Sequence, residues 1–114
     1  MLTKKFRLRK RTEFAYSFKH GRTHHGSLVN VAVFKRTDRL LRIGFSVNKK
    51  IGKAVVRNKV RRQMQAIVRE NLGEIVVGHN LIFMARPGIE TKDFNDIKQA
   101  LLLALDKAGL ICKK

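Results

Sequence analysis

From Lys49 to Arg62 the chain sets seven cations and one asparagine in fourteen residues, with no acid among them. It is not a disordered basic tail, because apolar residues recur through it and beyond it at helical spacing. Val56, Val60, Met64 and Ile67 stand at i, i+4, i+8 and i+11, one stripe of a helix. At about 100° per residue, Arg57, Arg61, Gln65, Asn58, Arg69 and Arg62 fall on the opposite arc. The sequence therefore writes an amphipathic helix over residues 53–72, with one face for a core and one face of cations.

The cationic arc needs a partner. Intrahelical ion pairs would require acids about four residues away, and none occurs before Glu70. Like charges along one face cost stability, so an external anion is the better explanation. A row of guanidinium groups suits a phosphate backbone, because each presents a planar fork of donors. The candidate phosphate-binding set is Lys49, Lys50, Lys53, Arg57, Asn58, Lys59, Arg61 and Arg62. Asn58 has two readings, a hydrogen bond to nucleic acid or the orientation of a neighbouring Arg.

The rest of the composition points the same way. The chain has 114 residues, the size of one domain, and a net charge of +18. A field of that size implies a polyanionic partner, with nucleic acid the default. Residues 1–69 hold 20 of the 26 Lys and Arg and only two acids, Glu13 and Asp38. Residues 70–114 hold six of each sign. The first part thus carries the binding surface and the second mainly completes the fold. The lone Cys112 cannot form an internal disulfide, which is compatible with a reducing cytosol. No apolar run reaches membrane-spanning length, and the basic start lacks the apolar stretch of a signal peptide.

Patterning predicts the order α-β-β-α-β-α, an α+β sandwich of one domain. Residues 1–11 read as a mostly extended basic arm. A short helix follows, capped by Thr12 and stopped by Gly21. Residues 22–27 read as a polar loop. Residues 28–35, with Val29, Val31 and Val33 on one face, and residues 41–47 read as antiparallel strands. The basic helix comes next, ended by Gly73. A strand at 81–86 and a last helix with Phe94, Ile97, Leu101 and Leu105 on one face complete the chain, capped by Thr91 or Asp93. Strand, helix and strand from residue 41 to 86 suggest a crossover between parallel strands. Such units are nearly always right-handed.

Phe14 and Phe18 share one face of the first helix. Both could be plain core. They are also flanked by Arg7, Arg9, Arg11 and Lys19, and aromatics interleaved with cations suit single-stranded nucleic acid. His24-His25 lacks carboxylates or Cys at ligand spacing, so a metal site is not expected. Ser46 and His79 have no triad context, and neither a phosphate-binding glycine loop nor paired carboxylates for two-metal chemistry occurs. The chain offers no nuclease machinery of its own.

Arg57-Asn58-Lys59-Val60-Arg61-Arg62, with Ser46-Val47-Asn48-Lys49-Lys50-Ile51-Gly52 before it and Arg69-Glu70 after it, resembles the signature of the bacterial ribonuclease P protein subunit. The likeness extends to Phe14-x-x-x-Phe18-Lys19-His20-Gly21, to Arg42-Ile43-Gly44-Phe45-Ser46-Val47 and to Ala85-Arg86. Lys59 departs from the family's usual Arg, and Gln65 stands where Arg or Lys is common. The resemblance implies a left-handed crossover in place of the right-handed default. It implies a single RNA-binding domain, residues 1–114, that docks on ribonuclease P RNA and on precursor tRNA in the cytoplasm, with no membrane or DNA partner. It implies that the RNA subunit performs the hydrolysis with Mg²⁺ held mainly by RNA and substrate. It also implies that Phe14 and Phe18, with Arg9 and Arg11, line a cleft for the 5′ leader, whose other wall is one face of residues 28–35. Either Val31 or Ala32 faces that leader. Rival readings are a ribosomal protein or general RNA chaperone, and a basic DNA-binding protein. A helix-turn-helix does not fit, because the basic helix lies between strands.

Overall fold

The computed structural model describes residues 6–8 and 11–111, with the side chain of Arg11 outside that set. Arg9 and Cys112 lie outside the described residues, as does most of the expected basic arm. The elements run α1 (Arg11–His20), β1 (Arg22–His24), β2 (Val29–Lys35), β3 (Leu41–Ser46), α2 (Ala54–Glu70), β4 (His79–Ala85) and α3 (Phe94–Lys107). The expected order holds with one addition. Arg22-Thr23-His24 shows no apolar alternation and reads as loop, yet it is β1 in the structure. It is made a strand by its partner, pairing Arg22, Thr23 and His24 with Val33, Ala32 and Val31 of β2.

The sheet order is β1-β2-β4-β3. β2 and β3 run in opposite directions, as expected, but they are not neighbours. β4 lies between them, antiparallel to β2 and parallel to β3. It takes the centre because it is the strand that can be buried on both faces: Leu81, Ile82 and Phe83 are all fully buried. The β3–α2–β4 connection is the expected crossover between parallel strands.

Alternation sorts the strand residues into two cores. Val29, Val31, Leu41, Ile43, Leu81 and Phe83 pack against Val60, Met64, Ile67 and Val68 of α2 and against Ile97, Leu101 and Leu105 of α3. On the other face Ala32 and Ile82 pack with Leu8, Phe14 and Met84 beneath α1. The layers are therefore α1, sheet, and α2 with α3. The register places Val31 and Ala32 on opposite faces of the sheet. Val31 belongs to the main core, and Ala32 faces α1.

The helix ends show where local sequence signals were overruled. α1 begins at Arg11, one residue before the expected Thr12 cap. It does stop at Gly21, where a Cβ would meet Ser17 O at 2.5 Å and Val33 O at 2.7 Å, so only glycine fits. α2 ends at Asn71 and not at Gly73, and the Asn71 amide donates to Ile67 O at 2.8 Å. Asp93, not Thr91, caps α3 by accepting from Asp96 N at 2.9 Å.

Two contacts fix α1 on the sheet. The apolar one is Phe14 over Gly44, where an added Cβ would lie 2.7 Å from the ring. The polar one runs through buried Asn80, which donates to Ser17 Oγ at 2.8 Å and accepts from Arg36 Nη1 at 2.8 Å. Arg36 also pairs with Asp38 at 2.7 Å and with Glu13 at 3.5 Å. The hydrogen bond from Arg36 pulls the Asp38 carboxyl down to about 2, and the same bond raises the guanidinium. The only acids of residues 1–69 thus converge on one cation.

Candidate nucleic-acid interface

α2 lies with Val60, Met64, Ile67 and Val68 buried and its other side turned outward. Each fully buried side chain of that kind stabilises by roughly 1.5–3 kcal/mol, enough to hold the helix despite its charge. Lys53, Asn58, Lys59 and Arg62 are exposed, as are Lys49 and Lys50 on the turn that leads in, while Arg57 and Arg61 are half-buried. Among the described residues, no cation of α2 forms an ion pair with an acid.

The start of α2 is built to attract anions. Lys53 is the N-cap and makes no side-chain capping bond, and no acid occupies the first turn. The free N–H groups and the positive end of the helix dipole face a concentration of cations, which repels internally and favours an outside phosphate. The preceding turn is ordered by Asn48, whose side chain accepts from Lys50 N at 2.8 Å, and by Ile51, which is buried. Arg57 Nε donates to Gly52 O at 3.1 Å, so its fork is held beside that turn. Asn58 accepts from Arg61 Nη1 at 2.9 Å. Asn58 thus orients Arg61.

On the opposite face the two phenylalanines separate. Phe14 is half-buried in the smaller core, whereas Phe18, one turn on, is 48% exposed. Tyr16 is 55% exposed and meets Phe34 edge-to-face at 5.3 Å. α1 and β2 therefore present rings from Phe18, Tyr16 and Phe34. Phe34 had no sequence signal of its own, because its partner comes from another element. In the sequence Arg7 stands only as a flank of the aromatic helix. It bridges to Ile43, and Leu8 N donates to Ile43 O at 2.9 Å, which lays this part of the arm along the open edge of β3.

The family model for ribonuclease P matches residues 2–109. The chain belongs to the ribonuclease P protein family. The ribonuclease P protein component of Clostridium botulinum strain 657 is 39% identical over 108 residues, covering 94% of this chain and 97% of that one. The Syntrophomonas wolfei ribonuclease P protein component is 35% identical over 113 residues, covering 99% and 95%. Among solved structures, the Staphylococcus aureus RNase P protein superposes with a TM-score of 0.86 at 25% identity, covering 93% of this chain and 97% of that one. The RNase P protein from Thermotoga maritima gives 0.81 at 31% identity, covering 89% and 96%. The element order and the hand of the crossover agree with those ribonuclease P structures.

Among the described residues, no three His, Cys, Asp or Glu side chains gather into a possible metal site, and no helix is long and apolar enough to cross a membrane. The carboxylates of Glu13 and Asp38, the only ones in the basic part of the chain, are already engaged by Arg36.

Proposed function

We propose that this chain is the protein subunit of a cytoplasmic ribonuclease P that binds the catalytic RNA and the 5′ leader of precursor tRNA, assisting removal of that leader. The observation that carries this reading is the cationic side of α2, which has no acid partner within the described residues. Lys49, Lys50 and Lys53 neutralise phosphates at the helix N-terminus, while Arg57, Arg61 and Arg62 bind them along the helix. Phe18, Tyr16 and Phe34 offer ring faces on which unpaired leader bases stack. Charge on one helix and rings on the other side of the sheet let a single small domain touch both RNAs. Phosphodiester hydrolysis, and the Mg²⁺ it uses, belong to the RNA subunit and substrate.

The test is reconstitution. Added to a catalytic ribonuclease P RNA at low Mg²⁺, the chain is expected to raise precursor cleavage. Without RNA it is expected to cleave nothing at any Mg²⁺ concentration. Stimulation of unrelated RNAs alone would favour a general RNA chaperone. Cleavage by RNA-free protein would overturn the division of labour.

A further inference from the structure

A small concavity lies where the Arg7–Leu8 segment, the edge of β3 and α2 meet. Its volume is about 160 Å³. For scale, an apolar cavity of about 150 Å³ takes a single benzene ring. The walls include Leu8, Phe14 and Phe45. Arg7 and Arg61 contribute from two separate elements, and Asn58 holds Arg61 in place at 2.9 Å. The remaining polar group is Gln65. It is half-buried, and its amide forms no hydrogen bond within the described residues. Its donor and acceptor are therefore both free to meet a ligand that enters the concavity.

We infer that this concavity is a site for one unpaired RNA nucleobase, with Gln65 reading its edge. The inference rests on the RNA-binding reading above. Rings and aliphatic side chains supply the sandwich that an extruded base requires. The two guanidinium groups supply contacts for the flanking phosphates. An amide places an acceptor beside a donor. It therefore matches an edge that sets an amino group beside a ring nitrogen, as adenine and cytosine do. An Arg at this position would present donors only, which suits the paired acceptors of guanine. Gln65 thus sets one base-reading group in the middle of a cationic arc.

The base comes either from the leader or from the RNA subunit, and chemical probing separates the two. Dimethyl sulfate methylates adenine N1 and cytosine N3, the ring nitrogens that the Gln65 amide would cover. The holoenzyme is probed with and without bound precursor tRNA, using the native chain, Gln65→Ala and Gln65→Arg, each checked for a native melt. The expected result is one unpaired adenine or cytosine that the native chain protects and both variants leave reactive. Its position assigns the source. If the base lies in the leader, changing it to uracil is expected to weaken precursor binding by roughly tenfold with the native chain and not with Gln65→Ala. Identical protection by all three proteins while RNA binding persists overturns the pocket and spares the proposed function. Loss of RNA binding by the native chain itself overturns both.

Discussion

α2 and α3 lie side by side on the same face of the same sheet, yet they treat their charges in opposite ways. Each buries four residues: Val60, Met64, Ile67 and Val68 in α2, and Ile97, Leu101, Ala104 and Leu105 in α3. α3 obeys the local rules. Asp93 caps it, Asp96 sits in its first turn, and Lys107 sits in its last. α2 has a Lys as N-cap and no acid in its first turn. Within one core, one helix is optimised for its own stability and the other gives some up. Places where a sequence breaks local rules without compensation inside the fold are where function is to be sought.

The comparison is sharpest if the inner faces prove equal and the outer faces unequal. Met64→Ala and Leu101→Ala should each cost about 2–5 kcal/mol, since both side chains are fully buried. Thermal melts of the two variants would reveal a difference if α2 were only loosely held. On the far side of the sheet, Phe18→Ala should weaken holoenzyme binding to precursor tRNA by roughly 1–3 kcal/mol. It should spare mature tRNA and the protein's melt, because this ring is 48% exposed. Phe14→Ala is the poorer probe, because it also opens the smaller core.

The caps can be exchanged next. Asp93→Ala should lower stability by about 1 kcal/mol, and Lys53→Asp should raise it by a similar amount by giving α2 the cap it lacks. The same Lys53→Asp change should weaken RNA binding. A variant that gained stability and kept full RNA affinity would break the contrast between the helices. The smallest effect concerns salt. Arg57→Ala or Arg62→Ala should each flatten the dependence of log affinity on log salt by about one unit per lost phosphate contact. Lys98→Ala on α3 should leave it unchanged, since Lys98 already faces Glu70 at 3.8 Å.

Periodic elements were legible in the sequence and non-local ones were not. The stripes of α2 and α3 could be read because a helix brings residues three and four apart together. Of the arc opposite the α2 stripe, Asn58, Arg62 and Arg69 are exposed, whereas Arg57, Arg61 and Gln65 are half-buried. β1 carried no pattern, because β2 recruits it. The central place of β4 follows from how buried Leu81, Ile82 and Phe83 could become, which chain order does not encode. Handedness came only from the family likeness. Asn58 could be placed on the arc, but its bond to Arg61 needed the side chains. The concavity beside Gln65 draws on Arg7, Phe45 and Gln65, which chain order keeps far apart.

The meeting of Glu13 and Asp38 on Arg36 bears on how fast the molecule can find its partner. A basic surface is often guarded by its own carboxylates, which an incoming polyanion must first displace. Here the acids of the basic region are held by a residue that anchors α1. On the RNA-binding function proposed above, encounter on α2 begins with no internal pair to break, among the described residues. Its barrier is set by diffusion and screening, so the association rate should be fast and should fall steeply as counterions are added.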